Sequence, residues 1–315
     1  MRVNMYRILD SNNDLTTPAV WRVDDAYGNP IPTAGSLTQG LQEAIDYASW
    51  HGYDLRVHGG GIARKNGQDV AILDCWGPIT VPPLQGVDWR IHATINFRVL
   101  GAPYPVAIGF DSVMNSDIKF TGQIVCNPWI GTGVAIAPVN LLPNDVGAGP
   151  VITVSRFDFH SIVKLGHDGC CVDLDARLGA ITGNIFRFLE PNSGVTGLQA
   201  RCSGTKCFDS NDITVLECHG QYTGINAGCG PTGADNFRGN TWNVKVFPRN
   251  SSCGIEVWGH HDHWFASIEN REGQPVNGVT FNTTARSNQF TVLRNQATNK
   301  VNNASPYYNL VSHIP

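Results

Sequence analysis

The sequence predicts an all-β fold of the solenoid kind, and two recurring frames carry that prediction. The first is Asn-x-apolar-x-apolar. It reads Asn184-Ile185-Phe186-Arg187-Phe188, then Asn211-Asp212-Ile213-Thr214-Val215, then Asn240-Thr241-Trp242-Asn243-Val244. A weaker copy is Asp262-His263-Trp264-Phe265-Ala266, and a last one is Asn288-Gln289-Phe290-Thr291-Val292. The second frame, Gly-apolar-x-apolar, lies between copies of the first, at Gly197-Leu198-Gln199-Ala200, Gly224-Ile225-Asn226-Ala227, Gly254-Ile255-Glu256-Val257 and Gly278-Val279-Thr280-Phe281. The two frames stay in step. Two period-2 strands in every ~20–30 residues mean stacked β-coils, and the jitter in the interval is loop insertion between fixed strands. An antiparallel β-sandwich with turn asparagines gives no reason for two frames to repeat in phase.

Alternation within each frame assigns faces. Phe186 and Phe188, Ile213 and Val215, and Trp242 and Val244 are expected to stack inside, with Arg187, Thr214 and Asn243 as an outward column. Parallel neighbours sit ~4.8 Å apart, so equivalent residues become columns along the stack. An Asn at the head of each coil suits a bend whose side-chain amide bonds to the next Asn.

Composition agrees. Of 315 residues, 42% are hydrophobic and only 15% charged, and there are 34 glycines, which is β-rich and turn-rich usage. The formal net charge is −4 with no Lys/Arg cluster, so neither nucleic acid nor an anionic membrane is an expected partner. No apolar run approaches the ~20 residues that span a bilayer. Residues 1–30 show no secretory signal pattern, which suits a mature secreted chain, an intracellular protein or a virion component alike. The nine cysteines are scattered without a CxxC pair, so a zinc site is not expected. Loop disulfides at Cys202/Cys207 or Cys218/Cys229 and free interior thiols are both open readings.

In chain order, residues 1–35 read as an irregular N-terminal segment with Pro18, Pro30 and Pro32. A helix follows over 36–51. Ser36-Leu37-Thr38-Gln39 has capping-box spacing, Leu41, Ala44, Ile45 and Ala48 share a face, and Gly52 supplies a left-handed C-cap. Asp54-Leu55-Arg56-Val57-His58 alternates as a strand and stops at Gly59-Gly60-Gly61. Short strands fill residues 62–160, among them Ile118-Lys119-Phe120, Gly133-Val134-Ala135-Ile136 and Phe157-Asp158-Phe159. Residues 296–315 lose the pattern and read as a polar C-terminal tail.

A helix reading Gly40-Leu41-Gln42-Glu43-Ala44-Ile45-Asp46-Tyr47-Ala48, then a strand, a Gly turn and asparagine-led coils, resembles the pectate-lyase-like superfamily over residues 36–295. That resemblance implies a single-stranded right-handed parallel β-helix whose N-terminal helix caps the open end and blocks edge pairing. It also implies a carbohydrate-active enzyme that cleaves an extracellular or capsular polysaccharide, with hydrolysis favoured over β-elimination. The superfamily's non-catalytic members supply the rival reading, a glycan-binding or structural solenoid of the tail-fibre or adhesin type. Work outside the cell or on a virion surface goes with either. The Asn-Thr-Asp and Gly-His-Gly motifs of polygalacturonases are absent, so no catalytic residue is carried over. No cofactor is expected, apart from calcium in the case of a lyase. An uncapped C-terminal end predicts self-association as a homotrimer.

Site candidates come from the columns. Glu190 and Glu217 stand at the same distance beyond Asn184 and Asn211, so their backbones are expected ~4.8 Å apart. Two carboxylates so close split their pKa values, which suits glycosidic cleavage. Arg187, Arg201 and His219 are expected to flank them. The competing reading makes both glutamates solvated strand ends paired with Arg201 or Lys206. A second column, Asp173, Gln199, Asn226, Glu256 and Thr280, offers polar groups to a sugar chain and makes Asp173 and Glu256 the next catalytic candidates. His261 and His263 are spaced as metal ligands on a strand, but no third ligand accompanies them, so no metal is expected. A loop there with His261, and with Trp258 and Trp264 stacking on sugar rings, is the preferred reading. Glycosylation-type triplets begin at Asn250, Asn282 and Asn303.

Overall fold

A computed structural model describes residues 1–8, 20–58, 64–65, 68–69, 72–98, 104–142, 149–166, 168–203, 205–228, 236–248, 253–269 and 276–314. Gly59-Gly60-Gly61, Asn250 and Cys229 lie outside the described residues. Three long sheets of 14, 9 and 6 strands dominate. Between Val113 and Arg238 each coil gives one strand to each sheet in a fixed order. Ala180–Thr182 joins the third sheet, Ile185–Ser193 the first and Thr196–Cys202 the second; Phe208–Asp209, Asp212–Cys218 and Thr223–Ala227 then repeat the cycle. Neighbours within these sheets are parallel, save for Arg2–Ile8 with Val20–Asp24. Parallel pairing between successive coils is incompatible with an antiparallel sandwich.

The interior follows from the first frame. Register places Phe157, Phe186, Ile213, Trp242, Trp264 and Phe290 in one column. Its aromatic rings stack nearly parallel, with centroids 5.3 Å apart for Phe157–Phe186, 4.5 Å for Trp242–Trp264 and 4.9 Å for Trp264–Phe290. Side chains this large, buried at 0–2% exposure, contribute a large apolar area each. Arg187, Thr214 and Asn243 form the outward column.

Corners explain the remaining frame residues. Asn184, Asn211, Asn240, Asp262 and Asn288 are all buried, and each side-chain oxygen accepts the backbone N–H of the residue one coil earlier, at 2.9–3.2 Å. The asparagine amides add a side-chain rung at 3.1 Å from Asn184 to Asn211 and from Asn211 to Asn240. Just before each ladder residue the backbone is left-handed: Asn115, Val154, Gly183, Ser210, Gly239, His261 and Ser287 have φ between 48° and 67°. At the next corner the Gly frame has a packing cause. A Cβ on Gly197 would lie 2.4 Å from Cys218 Sγ, and one on Gly224 would lie 1.9 Å from Val246 Cγ1. Side chains from the end of the first sheet fill the space where the second begins.

The helix spans Leu41–His51 and buries Leu41, Ala44, Ile45 and Ala48, with Gly52 left-handed at its C-cap. Its start is not the expected capping box. Ser36 Oγ accepts from Gly40 N and donates to Glu43, while Thr38 Oγ1 accepts from Gln42 N. Both ends carry more strand than the sequence suggests. Arg2–Ile8 pairs in parallel with Asp54–His58, so the segment read as irregular adds to the first sheet. Asn299–Asn303 and Leu310–His313 extend the second and first sheets, where a tail was expected. The eight described cysteines are free thiols, all buried except Cys207.

Candidate functional site

Glu190 and Glu217 occupy equivalent positions on consecutive coils. Phe188 pairs with Val215 before them, and Asn192 bridges to His219 after them. The carboxyls have different partners. Glu190 accepts from Ser161 Oγ at 3.3 Å and from Asn192 Nδ2 at 3.1 Å. Glu217 lies 3.7 Å from His219 Nε2, and the buried His219 ring stacks on Phe247 at 5.0 Å. Ser161 also accepts from Gln123 Nε2 at 3.3 Å, so a hydrogen-bond chain runs along the stack from Gln123 through Ser161 to Glu190.

That chain lines a groove of about 540 Å³ whose walls include Thr94, Asn96, Gln123, His160, Ser161 and Glu190. Thr121 and His160 also line a second groove of about 320 Å³ with Lys119, Asp158, Arg187 and Leu216. The two therefore meet at the bend of the first sheet, with a carboxylate on one side and cations on the other. Asp158 pairs with Lys119 at 3.7 Å and with Arg156 at 3.5 Å, rather than with Arg187. A groove of about 640 Å³ is a weaker candidate because its charges neutralise one another. There Asp88 pairs with Arg56 and Arg90, and Arg90 pairs with Asp117 at 2.7 Å, which holds the Asp117 carboxyl below its ordinary range.

The second column is in register from Asp173 through Gln199, Asn226, Glu256 and Thr280. Glu256 is engaged by Asn226 at 3.1 Å and Asn282 at 2.8 Å. Asp173 is only 5% exposed and bonds to Arg201. Burial raises its pKa to about 6, while the Arg201 charge opposes the shift and Asp175 adds to it. Burial works against ionisation of Asp175 too, yet hydrogen bonds from Arg177 and the Arg201 charge hold that carboxyl low.

Several expected roles change. Arg201 does not flank the glutamate pair; it sits on the second sheet between Asp173 and Asp175. Trp264 is 1% exposed between Trp242 and Phe290, so it is core and has no face for a sugar. Trp258 is half-buried, and its carbonyl accepts from Thr284. His261 is the left-handed corner residue, with its ring against His260. Among the described residues no group of three His, Cys, Asp or Glu side chains is placed to hold a metal ion. Sequence reasoning missed His160, Ser161 and Gln123, because they precede the asparagine-led coils; only the register of Ser161 with Glu190 brings them to the site.

Comparison with known proteins returns no family model, no curated protein and no solved structure that matches this chain.

Proposed function

We propose that the three sheets wrap as one right-handed parallel β-helix and that the chain binds and hydrolyses a polysaccharide in the groove ending at Glu190. The observation that carries this reading is Glu190 in the wall of a polar groove along the stack, with Glu217 at the equivalent position of the next coil. Carboxylates on adjacent rungs match the ~5–5.5 Å separation of a retaining pair. In this assignment Glu190 protonates the glycosidic oxygen, Glu217 attacks the anomeric carbon, and water releases the sugar in a second step. His219 orients Glu217, and Gln123, Asn96 and Arg187 bind hydroxyls or acidic substituents of the chain. The hydrogen-bond chain through Ser161 fixes the Glu190 rotamer, as positioning of a general acid requires.

Incubation with a panel of neutral, acidic and capsular polysaccharides tests it. New reducing ends without unsaturated-uronide absorbance are the expected result. Absorbance gain identifies β-elimination instead, and binding without cleavage moves the chain to the non-catalytic glycan-binding class. Self-association as a trimer belongs to the same reading. Asn299–Asn303 and Leu310–His313 each pair on one side only among the described residues. Sedimentation as a monomer contradicts that part.

A further inference from the structure

The third sheet carries a second concentration of chemistry, away from the groove on the first. One of its columns runs through Thr182, Asp209 and Arg238, then continues by single parallel bridges to His260 and Arg286. Equivalent residues in parallel register lie on rungs ~4.8 Å apart, so the exposed Arg238 and the half-buried Arg286 flank His260, which is buried at 3% exposure. His261 adds another imidazole. Its Nδ1 lies 2.9 Å from His260 Nδ1, with the rings edge to face at 4.9 Å. One of those nitrogens donates and the other accepts. Among the described residues of this column Asp209 is the one acid, a rung behind Arg238. The Asp262 carboxyl turns inward to Asn240 and Trp242. An aromatic platform adjoins the column, because the Arg286 guanidinium lies 5.8 Å over the half-exposed ring of Tyr307.

We propose that Arg238, His261 and Arg286, with the buried His260 between the two arginines, form a binding site for an oxoanion carried by a sugar, a sulfate ester or carboxylate of an acidic glycan, whose ring packs on Tyr307. Guanidinium forks match such groups with paired, charge-assisted hydrogen bonds. A flat ring beside them favours a pyranose face over a bare ion. The site is independent of cleavage at Glu190.

Calorimetric titration of the full chain with a dextran sulfate oligosaccharide, its unsulfated counterpart and inorganic sulfate tests the proposal. The sulfated saccharide should bind, more weakly as salt rises, and the unsulfated one should not. Arg238→Gln, at an exposed position, should weaken binding at least ~10-fold, the size expected from losing a charged hydrogen-bond donor. Melting curves confirm that this variant folds. Tyr307→Ala should weaken the saccharide and leave inorganic sulfate unchanged. Equal affinity in wild type and Arg238→Gln overturns the site. Equal affinity for the sulfated and unsulfated saccharides overturns the anion. Binding of inorganic sulfate alone overturns the glycan.

Discussion

Asp262 stands in a ladder otherwise headed by asparagines over Asn184–Asn288, and the substitution has a local cause. Its Oδ1 does what an asparagine oxygen does for Asn240, and its Oδ2 accepts from Trp242 Nε1 at 3.2 Å. An amide nitrogen in that place would be a second donor facing a donor. One coil on, where Asn288 takes the ladder position, the Trp264 Nε1 is buried with no hydrogen-bond partner among the described residues. The carboxylate has a cost. Burial lifts the Asp262 pKa from 3.8 to about 7, against hydrogen bonds from Asn240 and Trp242 that favour the charged form. Between those values the folded chain holds a proton that the unfolded chain has released. Stability therefore falls as pH rises from about 4 to 7 and levels off above, by a few kcal/mol at ~1.4 kcal/mol per unit. Asp262→Asn should flatten that slope, read as the difference in melting temperature between pH 5 and pH 8. An unchanged slope contradicts the assignment. Val154 is a second exposed residue-scale fault, a β-branched side chain at φ 48°. Val154→Gly relieves ~1–2 kcal/mol of left-handed strain and forfeits ~0.5–1 kcal/mol to the freedom of unfolded glycine. Urea unfolding should show a net gain between about zero and ~1.5 kcal/mol.

At the scale of the element, the frames were legible because period and packing agree. Asn184 and Asn211 announced a corner, and the alternation of Phe186 with Phe188 announced an inner face. Trp264 shows the limit of that reading. The same residue fitted the inner position of a frame and a sugar-stacking loop, and only the Trp242 ring at 4.5 Å decides between them. The terminal strands were illegible for a related reason. Asn299–Asn303 is exposed along its whole length, so no apolar alternation marks it, and its pairing with Asn277–Phe281 holds it in the sheet. The Gly frame makes a sharp prediction. Gly224→Ala forces a Cβ against Val246 and the Gly254 carbonyl, and should cost ~1–3 kcal/mol. Combining it with Val246→Ala should recover part of that loss relative to the sum of the two single changes. Strict additivity would mean the glycine is there for another reason.

At the scale of the whole molecule, the site exists only through stacking. Residues about 29 positions apart in sequence, Ser161 and Glu190, become hydrogen-bonded neighbours because each coil repeats the last in register. Counting from Asn184 and Asn211 sufficed to align Glu190 with Glu217, since both coils lead with the same frame. It could not find His160 or Gln123, whose coils begin with Ser155 and Ser116 in the ladder position. Arg201 was misplaced because Gln199 and Arg201 continue the second sheet rather than turning back to the first. The central claim is that Glu190 and Glu217 cleave a glycan together. Its most direct test is turnover by Glu190→Gln and Glu217→Gln on the polysaccharide that wild type degrades. Each variant should lose at least ~100-fold, the usual weight of a general acid or nucleophile, while melting within a few degrees of wild type. Near-wild-type turnover in both, with folding intact, contradicts the claim.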